Sequence, residues 1–111
     1  MEFLSLEHEQ KFLEFMARAG ARSGDRERKA LFYILAGDEE LACKINRLYD
    51  FEDGGITPEA RVDLSSGQAA LVRVAYNLYN PNQPANLCEL WSRMDRDGRA
   101  LAEAALKIRF A

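Results

Sequence analysis

The segment YDFEDGGITPEA, Tyr49 to Ala60, gathers four carboxylates and two glycines within twelve residues. Oxygen donors at that density suit a hard cation such as calcium. An EF-hand loop needs oxygen ligands at positions 1, 3 and 5, glycine at 6, an apolar residue at 8 and a bidentate Glu at 12. With Gly54 at position 6, Ile56 and Asp53 fall correctly, but Tyr49, Phe51 and Ala60 occupy positions 1, 3 and 12. With Gly55 there, Asp50 and Glu52 fit, yet Gly54 stands at 5 and Arg61 at 12. The run RMDRDGRALAEA fails in the same way, with Arg93 first and Ala104 last. Both are expected to be solvated connections between helices, and neither a metal nor a cofactor is expected.

Softer chemistry has few residues to work with. Cys43 and Cys88 lie far apart without a CxxC spacing, and His8 is the single histidine. Two reduced thiols are expected in preference to a disulfide or a zinc site. His8 has no serine or cysteine partner by sequence and falls at the edge of the apolar arc of its helix, which predicts a partly exposed surface histidine. No glycine-rich phosphate loop is present, and no grouping points to an enzyme.

Two clusters have the composition of binding surfaces. The first is Arg26, Lys29 and Tyr33, at helical spacing, where a basic pair beside an aromatic ring suits a small anion or nucleotide. The alternative is a tyrosine that simply covers a charged face. The second cluster is C-terminal. Leu101, Ala104, Ala105 and Ile108 share one side of the last helix, whereas Leu106 and Phe110 point nearly opposite, among Arg99, Lys107 and Arg109. A helix apolar on two sides is either sandwiched in its own core or shared with another chain, a second copy included. Trp91, with Arg93 and Arg96, extends that patch, although its stripe with Leu87, Leu90 and Met94 equally suits a core anchor.

Charge narrows the partners. The chain of 111 residues has net charge −3, without the basic footprint of a general nucleic-acid binder. A helix-turn-helix drawn through ALFYILAGDEELACKINRLY would place Asp38, Glu39 and Glu40 at the N-terminal turn of the reading helix, where phosphates repel them. DNA binding is not expected. No apolar run is long enough to span a bilayer, and MEFLSLEHEQ lacks the basic and apolar regions of a secretory signal. A cytoplasmic protein that binds another protein is the expectation.

The elements that must position these groups are helical. Ser5 can cap a first helix whose Leu6, Phe12, Leu13, Met16 and Ala17 gather on one side. Asp25 caps RERKALFYILA, placed near the centre of the core. Asp38 caps a third helix with a stripe of Leu41, Ile45, Leu48 and Tyr49, and Thr57-Pro58 signals a short helix start. Ser65 and Gln68 form a capping-box pattern before AALVRVAYNLY, which buries Leu71, Val72, Val74, Ala75 and Leu78. NPNQPAN is a loop. Asn86 starts a short helix, DRDG interrupts the chain, and a last helix runs from about Arg99 to Phe110. The fold class is therefore all-α: one domain over residues 1–111, a bundle of five to six helices around helices at about 26–36 and 66–79.

Taken together, EHEQKFLEFM, LFYILAG, INRLYDFEDGGITPEA and LVRVAYNLYN resemble a family of small Firmicutes proteins of unknown function, from about Glu7 to Phe110. The resemblance implies occurrence in genomes, phages and conjugative elements. Accessory proteins of such elements often bind host or phage proteins, inhibitors of host defence systems among them. It brings no catalytic or ligand residues with it.

Overall fold

The computed structural model describes residues 1–111. From Ala30 to Ala36 seven consecutive side chains are buried, so the helix that carries them is enclosed on every side. This is α2 (Arg26–Gly37), and α1 (Leu6–Arg18), α5 (Ser66–Tyr79) and α7 (Arg96–Arg109) pack around it. Asp25 starts α2 by accepting the Arg28 amide at 3.0 Å. Short helices α3 (Glu39–Cys43) and α4 (Ile45–Leu48), a 3-10 turn at Glu59–Arg61 and α6 (Leu87–Arg93) complete the helical part. A single cluster of 27 buried apolar residues joins them.

The architecture is mostly helical but not wholly so. The acidic segment is a β-hairpin, with β1 (Tyr49–Asp50) antiparallel to β2 (Gly55–Ile56) and Tyr49 opposite Ile56. Aromatic packing explains the departure from helix. In extended backbone Tyr49 sinks against Phe32 at 4.9 Å between ring centroids, and Phe51 stacks over Phe32 at 6.0 Å. Such rings contribute more by burial than one further helical turn. The expected helix from Asp38 to Tyr49 is accordingly split, leaving the helical region at Lys44 (φ −98°, ψ 15°). Gly54 closes the hairpin at φ +77°, which favours glycine. Asp50 uses its carboxylate on the loop itself, accepting the amides of Glu52 at 2.9 Å and Asp53 at 3.1 Å.

Two other starts differ from expectation. Thr57 does not cap a helix; its hydroxyl donates to the Arg47 carbonyl, and only a 3-10 turn follows Pro58. The last helix begins three residues early, since Asp95 accepts the Gly98 amide at 2.8 Å and makes DRDG its first turn. The capping box on α5 is present as expected, with both Ser65–Gln68 bonds formed.

The first helix is turned about its axis relative to its projected stripe. His8, Phe12, Phe15 and Met16 face the core, while Leu6 and Leu13 are 69% and 56% exposed. Two phenylalanines remove more apolar surface from water than two leucines, and the helix cannot bury both sets. His8 is carried inward with them and is 3% exposed, a correction to its expected surface position.

Candidate functional site

Between α5, α6, α7 and the loop after α5 lies an open apolar groove of about 610 Å³. Its floor is Val74, Leu78 and Ala102, and its walls are Leu87 and Trp91 on α6 with Leu106 and Phe110 on α7. Pro81 and Ala85 form the rim. The sequence sets this geometry. Positions 102, 106, 109 and 110 share one side of α7 by helical spacing, whereas Leu101 and Ala105 point into the core. Leu106 is 46% and Phe110 68% exposed, so the second apolar side of α7 is not covered by its own chain. Asn77 holds the rim loop in place by donating from Nδ2 to the Gln83 carbonyl at 2.7 Å.

Trp91 is half-buried in the wall of the groove, and its expected stripe divides. Leu90 and Met94 are core residues, while Leu87 faces solvent. The arginines expected beside it have different tasks. Arg93 is fastened to its own chain, donating from Nε and Nη2 to Ser66 Oγ and O at 3.0 Å each and pairing with Glu89 at 2.9 Å. It ties α6 to the start of α5 and does not reach into the groove. Arg99 donates to the Trp91 carbonyl at 3.1 Å but does not line the groove. Arg109 does line it, beside Glu103, donating to the Leu78 carbonyl at 2.9 Å, approaching Glu27 at 3.4 Å and lying 5.1 Å over the Phe110 ring. Arg96 is exposed in the first turn of α7. Pro81 and Ala85 were read from the sequence only as loop and Cys88 only as a free thiol, since the return of the loop across α5 is what makes them groove residues.

The alternative cluster is not assembled. Tyr33 is buried, its ring tilted against His8 at 4.6 Å between centroids and its hydroxyl donating to the Glu2 carbonyl at 2.7 Å. Lys29 donates to the Ser23 carbonyl at 2.9 Å, and Arg26 stays on the exposed side of α2. The N-terminal segment folds back over Tyr33, and a helical projection of α2 alone carries no trace of that.

Two perturbed groups lie outside the groove. His8 receives the Leu4 amide at Nδ1 (3.1 Å) and meets the Tyr33 carbonyl with Nε2 at 2.8 Å. A carbonyl needs a donor and an amide needs an acceptor, so the ring is neutral with its proton on Nε2. Burial lowers its pKa, and the bond to Tyr33 opposes that shift. Arg28 donates to the Tyr49 hydroxyl at 2.9 Å, Asp25 at 2.9 Å and the Gly54 carbonyl at 3.1 Å. The Tyr49 bond is the main cause of its raised pKa. Both groups are spent on the fold: His8 anchors the N-terminal segment, and Arg28 anchors the hairpin to α2. Cys43 and Cys88 are free and exposed. No helix is long and apolar enough to cross a membrane.

Residues 1–103 match a family of unknown function (DUF6075), and the chain belongs to that family. No curated protein and no solved structure matches the chain.

Proposed function

We propose that this member of the family is a non-enzymatic protein-binding factor, accessory or regulatory, that engages its partner through the groove between α6 and α7. One observation carries the reading: Trp91, Leu106 and Phe110 line a concave surface that the chain's own core leaves open. An apolar helix side left facing water marks an interaction surface more often than a folding requirement. Helix grooves of this kind take an amphipathic helix from a partner, and an aromatic wall with an arginine beside it, here Trp91 and Phe110 with Arg109, is the composition of a binding hot spot. The resemblance to proteins of phages and conjugative elements extends the proposal to a cytoplasmic factor of such an element, acting on a host protein such as a defence component.

The test compares the tagged protein with its Leu106→Glu variant in affinity capture from host lysate, followed by binding measurements with purified components. The expected result is a protein retained by the native chain, lost by the variant, and bound directly by the purified native chain alone. Identical captures by both forms, with no direct binding that depends on Leu106, would overturn the reading. Leu106 is about half exposed, so the substitution leaves the core intact and folding does not confound the result.

A further inference from the structure

Residues 1–4 lie across the outside of the bundle, and few contacts hold them there. No backbone–backbone hydrogen bond reaches them; the first in the chain runs from the Glu9 amide to the Ser5 carbonyl. Two bonds to side chains take their place. The Leu4 amide donates to His8 Nδ1 at 3.1 Å, and the Tyr33 hydroxyl donates to the Glu2 carbonyl at 2.7 Å. Phe3 packs against both partners, with ring centroids 5.1 Å from His8 and 5.8 Å from Tyr33. On the α7 side the segment borders an open cleft of about 470 Å³, lined also by Tyr33, Ala104 and Ile108. The segment is a strap whose polar attachments all pass through His8 and Tyr33.

The two bonds of His8 respond differently to a proton. Nε2–H donates to the Tyr33 carbonyl whether the ring is neutral or charged, whereas Nδ1 accepts from Leu4 only while it carries no proton. Protonation therefore breaks the tie to the strap and spares the tie between α1 and α2. Burial disfavours the charged ring, with the Tyr33 bond opposing that effect. Lifting the strap removes Phe3 and the Leu4 amide from the ring and returns water to Nδ1. The ring also borders a polar cleft of about 360 Å³, where Glu7 and Lys11 of α1 and Glu39 and Cys43 of α3 lie. The two glutamates favour an imidazolium there and Lys11 opposes it. From α2 the ring meets Tyr33 and Gly37, and Leu101 of α7 reaches the same spot. Glu2 of the strap and Glu103 and Lys107 of α7 line the cleft on the α7 side.

We propose that residues 1–4 form an acid-released strap, latched by His8 at neutral pH and freed by a proton on its Nδ1 while the helices stay packed. Release uncovers Tyr33 together with Ala104 and Ile108 of α7. Leu106 and Phe110 lie on the other side of that helix, so the device is independent of the groove. The sign follows from the two states of the strap. With the strap lifted the ring titrates nearer its ordinary value of about 6.5, and with the strap closed it titrates lower. Acid thus favours the lifted state. With the closed ring neutral throughout, opening becomes about tenfold more favourable between about pH 7.5 and about pH 5.5. The Tyr33–Glu2 bond and the Phe3 contacts oppose release and set how much of the strap is open at a given pH.

The test is amide exchange at Leu4, measured by NMR on the full chain from pH 7.5 to pH 5.5 and divided by the intrinsic rate at each pH. Protection is expected to fall about tenfold over that range. It is also expected to stay well below that of the α2 core amides and to ignore urea below the unfolding transition, the mark of a local opening. His8→Gln keeps a side-chain acceptor but does not titrate, and should remove the pH dependence. A second variant does not touch the latch residue. Phe3→Ala loosens the strap from outside the core, so the His8 imidazole of that variant should titrate closer to 6.5 than in the native chain. Leu4 protection that does not change with pH overturns the proposal. Leu4 protection equal to that of the α2 core and equally sensitive to urea also overturns it, since the strap then leaves only when the whole chain unfolds. An unchanged His8 titration in Phe3→Ala does the same, because the strap is then not what keeps the ring neutral.

Discussion

His8 gives the sharpest quantitative expectation. Its neutral ring supplies one acceptor to Leu4 and one donor to Tyr33, both in the buried layer where Phe3 packs edge-on at 5.1 Å. A proton added at Nδ1 would set a donor against the Leu4 amide and place charge among Phe3, Tyr33 and Phe12. The folded-state pKa is therefore depressed, with desolvation the main cause. For a group depressed on folding, stability is complete above its unfolded pKa and is lost as pH falls through that value towards the folded one. The unfolded reference is about 6.5. If the folded ring stays neutral throughout, lowering pH from about 7.5 to about 5.5 removes about 1.4 kcal/mol from the unfolding free energy. A smaller shift gives proportionately less. His8 is the single histidine, so no other side chain of ordinary pKa titrates in that window. Urea unfolding at a series of pH values measures the slope, and His8→Gln provides the comparison. Glutamine lowers stability at every pH but removes the change between those two values. A native protein with no loss over this range, or a variant with the same slope as the native chain, would refute the neutral, buried assignment.

Three further outcomes follow from individual contacts. A Cβ at Gly37 would overlap Leu101 Cδ2 and lie 3.0 Å from His8 Nε2, so Gly37→Ala should cost about 1–3 kcal/mol in denaturant unfolding, although alanine is the better helix former; a stabilised variant would contradict the close approach. The Tyr76 hydroxyl donates to the buried Leu48 carbonyl at 2.8 Å, so Tyr76→Phe should cost about 1 kcal/mol. In alkaline titration the same variant should lack the tyrosinate component that burial pushes up to about 12. Arg28→Lys keeps the charge but loses the planar fork that reaches Tyr49, Asp25 and Gly54 together. The hairpin should then open, read as faster amide exchange at Gly54, whose N–H is bound to the Asp50 carbonyl at 2.7 Å.

Helix identity was legible because capping is local. Ser5, Asp25, Asp38, Ser65 and Asn86 each accept an amide of the first turn they precede, and that pattern needs no knowledge of the rest of the chain. The all-round apolar run of α2 likewise announced its central place. The hairpin was not legible for the opposite reason. Tyr49 and Phe51 leave the helix to reach Phe32, and Arg28 holds Gly54 from twenty-six residues away. Neither the ring packing nor the guanidinium fork leaves a periodic mark on the segment it reshapes.

The candidate groove was half legible, and α1 shows why the other half was not. A helical projection states which residues lie opposite one another, but not which side the core selects. On α7 both sides were apolar, which left a sandwiched helix and an open side equally readable; the core took Leu101 and Ala105, and Leu106 and Phe110 are the remainder. On α1 the projected inner stripe joined Leu6, Leu13 and Ala17 to Phe12 and Met16. The core kept Phe12 and Met16 but turned the helix towards Phe15, leaving Leu6 and Leu13 exposed, and this brought the polar ring of His8 inward, where two backbone partners satisfy it. The surplus leucines of α1 and of α7 thus have one physical origin. Each helix carries more apolar surface than a single contact with α2 can enclose, and the remainder faces solvent.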